Sequence, residues 1–472
     1  MDECNSMNDH QQRNGSSVGH QSGFFGVWQL LVSLAFVASS LSATAADSLD
    51  FSVGFSAPPN TPEAVVDTAL TQLCPKFLQS SETTESALQT VCGVITGSIT
   101  LPPDQKEAVL KEISAKVNTS PTLLVSRAPA VRFSGDIASR MAALRRSTQL
   151  GSLRTGFRSQ RPYSSSAIPI FRAGPAAEAE GGLYSQRLSG FVNGNFASAK
   201  QNETGTEMGF KSDGQGLTAG IDYRLGLHTF LGAAPQYNNI SATLNDDGSE
   251  LNAQQYAVIL YGTHFLTDAW YVEGGLGHGN QKIQLSRHIA FTVGSPPVPV
   301  DVTAEGDTKS AQTTASFGTG SEFSLPQSAT LSLSANLVYA SSTIDAYTEK
   351  NAPSLNLSVA KQDVSTLTTQ LTGNVSRAFS FKRGVLIPQL GATWLHEIKR
   401  EGEQLQAQFA ADTNVTQFGF VTQRQDADYF ILNADAQFLV PGGRVGFIRI
   451  SNVRLLRDRS ETGVTLGYRM EF

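Results

Sequence analysis

From residue 188 to the end of the chain, apolar side chains recur at every second position in one segment after another. The last segment is the clearest. Val464, Leu466, Tyr468, Met470 and Phe472 fall on one face, and Gly463, Thr465, Gly467, Arg469 and Glu471 on the other. Leu217, Ala219, Ile221, Tyr223 and Leu225 oppose Thr218, Gly220, Asp222 and Arg224 in the same way. Period two is the signature of a strand with two unlike surfaces. A half-buried soluble strand alternates too, so the weight lies in the number and spacing of the segments.

Twelve such strands are expected, over 188–199, 214–226, 228–244, 250–267, 269–288, 308–325, 328–345, 362–381, 384–400, 427–441, 443–454 and 460–472. Tight turns such as Thr267-Asp268 and Pro441-Gly442-Gly443 alternate with longer polar loops such as 289–307, which contains Pro296-Pro297. Short turns on one rim and long loops on the other are the pattern of a transmembrane barrel with its short turns in the periplasm. The stretch 401–426 extends two strands into a hairpin beyond the membrane. An open sheet in lipid would leave edge groups unpaired at several kcal/mol each, so closure is required. Composition agrees. Only 16% of the 472 residues are charged and mean hydropathy is −0.15, which excludes a bundle of membrane-spanning helices. The net charge of −6 gives no sign of nucleic-acid binding.

The N-terminal third reads differently. Residues 24–41 are apolar and precede Ala43-Thr44-Ala45, the pattern of a signal peptide ending near residue 45, with a membrane anchor as the competing reading. The segment before them carries Asp2, Glu3 and Asp9 against Arg13; a start at Met7 would mend most of this. Cleavage removes Cys4 and leaves Cys74 and Cys92, an even number suited to an oxidising compartment. Thr61-Pro62-Glu63 opens a helix carrying Val66, Leu70, Leu73 and Phe77. A second apolar face holds Leu88, Val91, Cys92 and Ile95. The two cysteines would meet in an antiparallel hairpin, where a bridge contributes about 3 kcal/mol; two buried thiols are the alternative. Further helices are expected from Pro103 to Val117 and near Asp136–Arg146.

Charge is segregated. Residues 47–126 carry nine acids and four lysines, and residues 127–177 carry nine arginines and one acid. In the barrel, alternation turns Asp222, Glu273, Glu322 and Asp435 inward. These acids are either ordinary polar lining or a wall that holds Arg140, Arg145, Arg146, Arg154, Arg158 and Arg161. The Arg run is accordingly a solvated linker or a segment threaded through the pore. Trp270 and Tyr271, at a strand start, suit an interfacial aromatic girdle. No nucleophile elbow, phosphate loop, His-Glu-x-x-His or Cys-x-x-Cys is present, and His278 and His288 are expected as isolated rim residues. No catalytic, cofactor or metal site is expected.

Residues 188–472 resemble the autotransporter β-domain of type V secretion in Gram-negative bacteria. The resemblance rests on Leu188-Ser-Gly-Phe-Val-Asn-Gly194, Gly216-Leu-Thr-Ala-Gly-Ile-Asp-Tyr-Arg224, Tyr256 to Tyr261-Gly, Ala269-Trp-Tyr-Val-Glu-Gly-Gly275 and the terminal Leu466-Gly-Tyr-Arg-Met-Glu-Phe472. Trp394-Leu-His-Glu397 and Asp426-Ala-Asp-Tyr-Phe430 are similar to a subgroup with a short two-cysteine helical region at the N-terminus. The resemblance implies a 12-stranded pore in the outer membrane, spanned by a segment that links to an exported passenger. It also implies that Val464, Leu466, Tyr468, Met470 and Phe472 form the signal read by the outer-membrane assembly machinery. No Asn-Asn pair stands at the junction where one class of the family cleaves itself. The expected organisation is a signal peptide at 1–45, a small helical region at 46–126, a connector at 127–187 and the barrel at 188–472. The partners it implies are outer-membrane lipid, the barrel assembly machinery and the inner-membrane secretion machinery, around a monomeric barrel without cofactor. A plugged porin-like channel for small solutes is the alternative function, and a surface hydrolase has no supporting residues.

Overall fold

In the computed structural model, alternation and closure produce one barrel. The structure describes residues 61–79, 87–114, 141, 187–204, 207–226, 228–244, 248–293, 297–399, 404–412, 416–422 and 426–471. The proposed signal peptide, Phe472 and the six connector arginines lie outside the described residues.

The barrel strands are β1 (Leu188–Gln201), β2 (Phe210–Leu225), β3 (Thr229–Leu244), β4 (Glu250–Phe265), β5 (Trp270–Val293), β6 (Val298–Leu325) and β7 (Ala329–Ile344). After two short strands, β8 (Tyr347–Thr348) and β9 (Leu357–Val359), come β10 (Gln362–Arg377), β11 (Phe379–Phe381) and β12 (Gly384–Glu397). Another short pair, β13 (Gln404–Phe409) and β14 (Phe418–Val421), precedes β15 (Asp428–Val440), β16 (Arg444–Arg454) and β17 (Arg459–Glu471). Twelve of these close antiparallel in the order β1–β7, β10, β12, β15, β16, β17. The last strand returns to the first, with Ser189 opposite Glu471 and Gln201 opposite Arg459. Alternate side chains face out as Val192, Phe196, Leu217, Ile221, Val258, Leu260 and Phe317, all exposed, as a lipid-facing band requires.

Three strand expectations are corrected. β5 and β6 do not stop near 288 and 308; they continue as a hairpin through Val293 and from Val298. Ile289, Val293, Val300 and Ala304 keep the alternation and are buried, so the pattern outlasts the membrane. Proline is tolerated there because β7 pairs with β6 only from Ser310 onward, leaving Pro299 an edge position. Residues 401–426 do not prolong β12 and β15. They supply β13 and β14, which form a separate four-stranded sheet with β8 and β9. Tyr271 turns inward and is fully buried while Trp270 faces out; neighbours on one strand cannot share a face.

Three helices precede the barrel: α1 (Pro62–Phe77), α2 (Ala87–Ile95) and α3 (Pro103–Ile113). Thr61 caps α1, its hydroxyl accepting from Ala64 N at 3.4 Å. α3 ends at Ile113 rather than Val117. Cys74 and Cys92 are disulfide-bonded between α1 and α2, with Cα atoms 5.0 Å apart. Val66, Leu70, Leu73, Leu88, Val91 and Ile113 are almost wholly buried. They belong to a single cluster with Leu244, Leu251, Ile289, Val300, Leu357, Leu405 and Phe418 from the long-loop end of the barrel. The helices and outer loops therefore share a core, and together they form a cap.

Candidate functional site

The long loops and the helices meet around Arg287, near the top of β5. Its guanidinium and the Glu349 carboxylate are each 1% exposed and 2.6 Å apart. Nε also donates to Glu349 Oε1 at 3.1 Å, and Nη2 to the Leu355 carbonyl at 2.9 Å. Leu357 N donates back to Glu349 Oε2 at 2.8 Å. A third face of the same arginine reaches the helices, where Nη1 donates to the Glu112 carbonyl at 3.5 Å. Lys111 pairs with Glu203 above β1 at 3.2 Å, and α1 packs on β14. Burial, and then the Glu349 charge, hold the Tyr347 phenol well above its ordinary range, with Arg287 opposing.

Beneath the cap lies the lumen. Alternation places Asp222, Glu273, Glu322 and Asp435 inward as expected; the first, second and fourth are buried and Glu322 is half-buried. Asp222 accepts from Ser189 Oγ at 3.0 Å and from the Tyr261 hydroxyl. Asp435 pairs with Arg449 and accepts from Gln389 Nε2 at 3.3 Å. Arg459 pairs with Glu461 at 2.9 Å and Arg469 with Glu471 at 2.6 Å. Arg449, Arg459 and Arg469 were not among the expected lumen charges. The signal for Arg469 was present in the alternation of the last strand, opposite Tyr468 and Met470. Amides complete the wall, with Asn238 donating to Gln255 at 3.0 Å and Gln255 to Gln312 at 2.7 Å.

One apolar cluster interrupts this polar surface. Phe191, Phe230, Ala234, Ile259, Tyr261, Phe265 and Tyr271 all face inward, and Met141 is buried among them at 3% exposure. Met141 is helical, as expected near Asp136–Arg146. It stands inside the barrel. Ile113, by contrast, lies at the long-loop rim and Leu188 opens β1 at the short-turn rim.

The remaining expected residues sit apart. Val464, Leu466, Tyr468 and Met470 face outward on β17. His278 bonds Thr313, His288 bonds Asp301 and His396 bonds Asp428, each on the outer wall.

A family model described as the autotransporter β-domain matches residues 190–447. Among solved structures, the translocator domain of the autotransporter NalP from Neisseria meningitidis is 15% identical. The match covers 71% of this chain and 98% of that one, with a TM-score of 0.47. The β-domain of the Bordetella autotransporter BrkA is also 15% identical, over 60% of this chain and 100% of that one, with a TM-score of 0.43. The Ralstonia pickettii toluene transporter TbuX is 12% identical over 63% and 94%, with a TM-score of 0.40. No curated protein matches the chain.

Proposed function

The chain belongs to the autotransporter β-domain family, barrels of the Gram-negative outer membrane that translocate a passenger, and on that premise we propose that its passenger is its own residues 46–126, carried out through the lumen and then held on the outer rim. The observation that carries this reading is the position of three points on one chain. α3 lies at the long-loop rim, Met141 within the lumen and Leu188 at the short-turn rim. Long loops face outward in such barrels, so the helices are outside while the barrel's first strand starts on the periplasmic side.

A route through lipid is the only other path between those points. It would expose arginines of 127–177 to hydrocarbon at ~2–4 kcal/mol each near the midplane, whereas the lumen offers acids. Part of 134–182 occupies the lumen in this reading, with Arg140, Arg145, Arg146, Arg154, Arg158 and Arg161 facing Asp222, Glu273 and Glu322. Charge-assisted arginine–carboxylate bonds are strong in such a confined site, although desolvation offsets part of the gain. The shared core of helices and loops supports retention rather than release, and surface adhesion is one outcome of a small domain fixed there. The role is transport and anchoring rather than catalysis. The barrel acts as a monomer, with outer-membrane lipid, the assembly machinery and the inner-membrane secretion machinery as its partners.

The test is an epitope inserted after Gln79, between α1 and α2. Antibody should bind it on intact cells. Binding only after the outer membrane is permeabilised would overturn the reading and leave the helices periplasmic.

A further inference from the structure

We propose that two pairs of directly opposed lysines on the outer wall of the barrel bind phosphate groups of outer-leaflet lipid headgroups. Lys200 on β1 lies opposite Lys211 on β2, and Lys282 on β5 opposite Lys309 on β6. All four are exposed and belong to the outward-facing set of their strands. Residues directly opposite in an antiparallel pair have Cβ atoms about 4.5–5.5 Å apart, and like charges there are destabilising. Among the described residues none of the four forms an ion pair. Asp213 and Asp307 share the same outward faces, yet neither closes onto a lysine. Each pair is therefore two unneutralised ammonium groups held side by side by the sheet.

Their height fixes the partner. Lys200 is twelve residues along β1 from Leu188, and Lys211 twelve from Tyr223, which pairs with Leu188. Lys282 is twelve residues along β5 from Trp270, and Lys309 twelve from Ser321, which pairs with Trp270. Twelve residues at ~3.3 Å each run about 40 Å along a strand. At a tilt of about 40° that is roughly 30 Å along the membrane normal, just beyond an apolar band about 25 Å tall. The outward side chains below the lysines agree. Phe196, Leu217, Leu276 and Phe317 are the last large apolar residues on their strands, and Ser198, Gln215, Asn280 and Thr313 follow. On the intervening strands the residues in register with the lysines are uncharged, Thr243 opposite Lys211 and Gln254 opposite Lys282. A lysine stem of four carbons can reach back toward the band edge while its ammonium stays among the headgroups. Anionic lipid surfaces attract such side chains strongly.

The proposal does not depend on which segment is the passenger. It is tested by native mass spectrometry of the full chain, folded in detergent and titrated with bisphosphorylated lipid A, with its dephosphorylated form and with inorganic phosphate. The parent should prefer the phosphorylated lipid. Replacing all four lysines (K200Q, K211Q, K282Q, K309Q) should weaken that binding by roughly fivefold for each lysine lost. Each double variant should take part of the effect, and the four Lys→Arg changes should keep the affinity. Heat-modifiable mobility reports that each variant is folded. Equal binding of both lipid forms, an unchanged affinity in the Gln variants, or equal loss in the Arg variant would each overturn the proposal. Displacement of the lipid by inorganic phosphate would replace the headgroup with a free anion and overturn it as well.

Discussion

Arg287 and Glu349 are separated by 62 positions in the chain, and no local pattern announces that they meet. Arg287 falls near the end of the expected fifth strand and Glu349 in a loop. Together they join three parts of the cap, since Arg287 also reaches Leu355 and Glu112. Removing one partner of a buried pair leaves an uncompensated charge, at about 3–5 kcal/mol. Glu349→Gln should therefore loosen the cap while leaving the barrel closed. Limited proteolysis should cut within 346–361 or 400–421 sooner than in the parent, with heat-modifiable mobility unchanged. Equal cleavage rates would show that the shared apolar core alone holds the cap.

Strands and helices were legible because their signals are local. Apart from β5 and β6, which run past their expected ends to Val293 and back to Val298, each barrel strand was read within a few residues of its ends from alternation and turns, and α1 from its Thr61-Pro62 start. The register was not legible, and it decides which side chains share a site. Gly232 lies opposite Tyr261, and Gly320 opposite Tyr271. In both cases the ring covers the glycine so closely that a Cβ atom would collide with it. An aromatic ring over a glycine on the next strand pins register and gives the sheet room to curve. Gly232→Val should cost about 1–3 kcal/mol through overpacking against the Tyr261 ring and lower the yield of heat-modifiable barrel on refolding. Adding Tyr261→Ala should restore much of that yield. If the double variant refolds no better than the single one, the ring is not the obstacle.

For the molecule as a whole, the lumen and the cap have separate supports. The lumen wall is cross-linked by Arg449–Asp435 and by an amide chain through Asn238, Gln255 and Gln312, while Arg459–Glu461 and Arg469–Glu471 neutralise charge along β17 itself. A barrel lacking residues 47–180 should consequently still fold and should conduct ions in planar bilayers, whereas the parent should pass little current. Equal conductance would mean that the connector does not fill the pore. Asp435 belongs to the wall through Arg449 in this scheme, and Asp222, Glu273 and Glu322 are the acids proposed to face the connector.

The sequence by itself determined the membrane barrel, its twelve staves, the lipid-facing side of the staves apart from Tyr271, and which rim carries the long loops. It could do so because alternation and turn chemistry are set by residues a few positions apart. The inward direction of the four acids followed from the same rule. Only the tertiary structure decided what those acids touch, that the β5–β6 hairpin rises past the membrane, and that helices and loops close one core. It also placed Met141 among lumen aromatics drawn from β1, β3, β4 and β5. Those arrangements depend on how far each strand slides past its neighbour as the sheet tilts and closes. That slide brings together residues separated by tens to hundreds of positions.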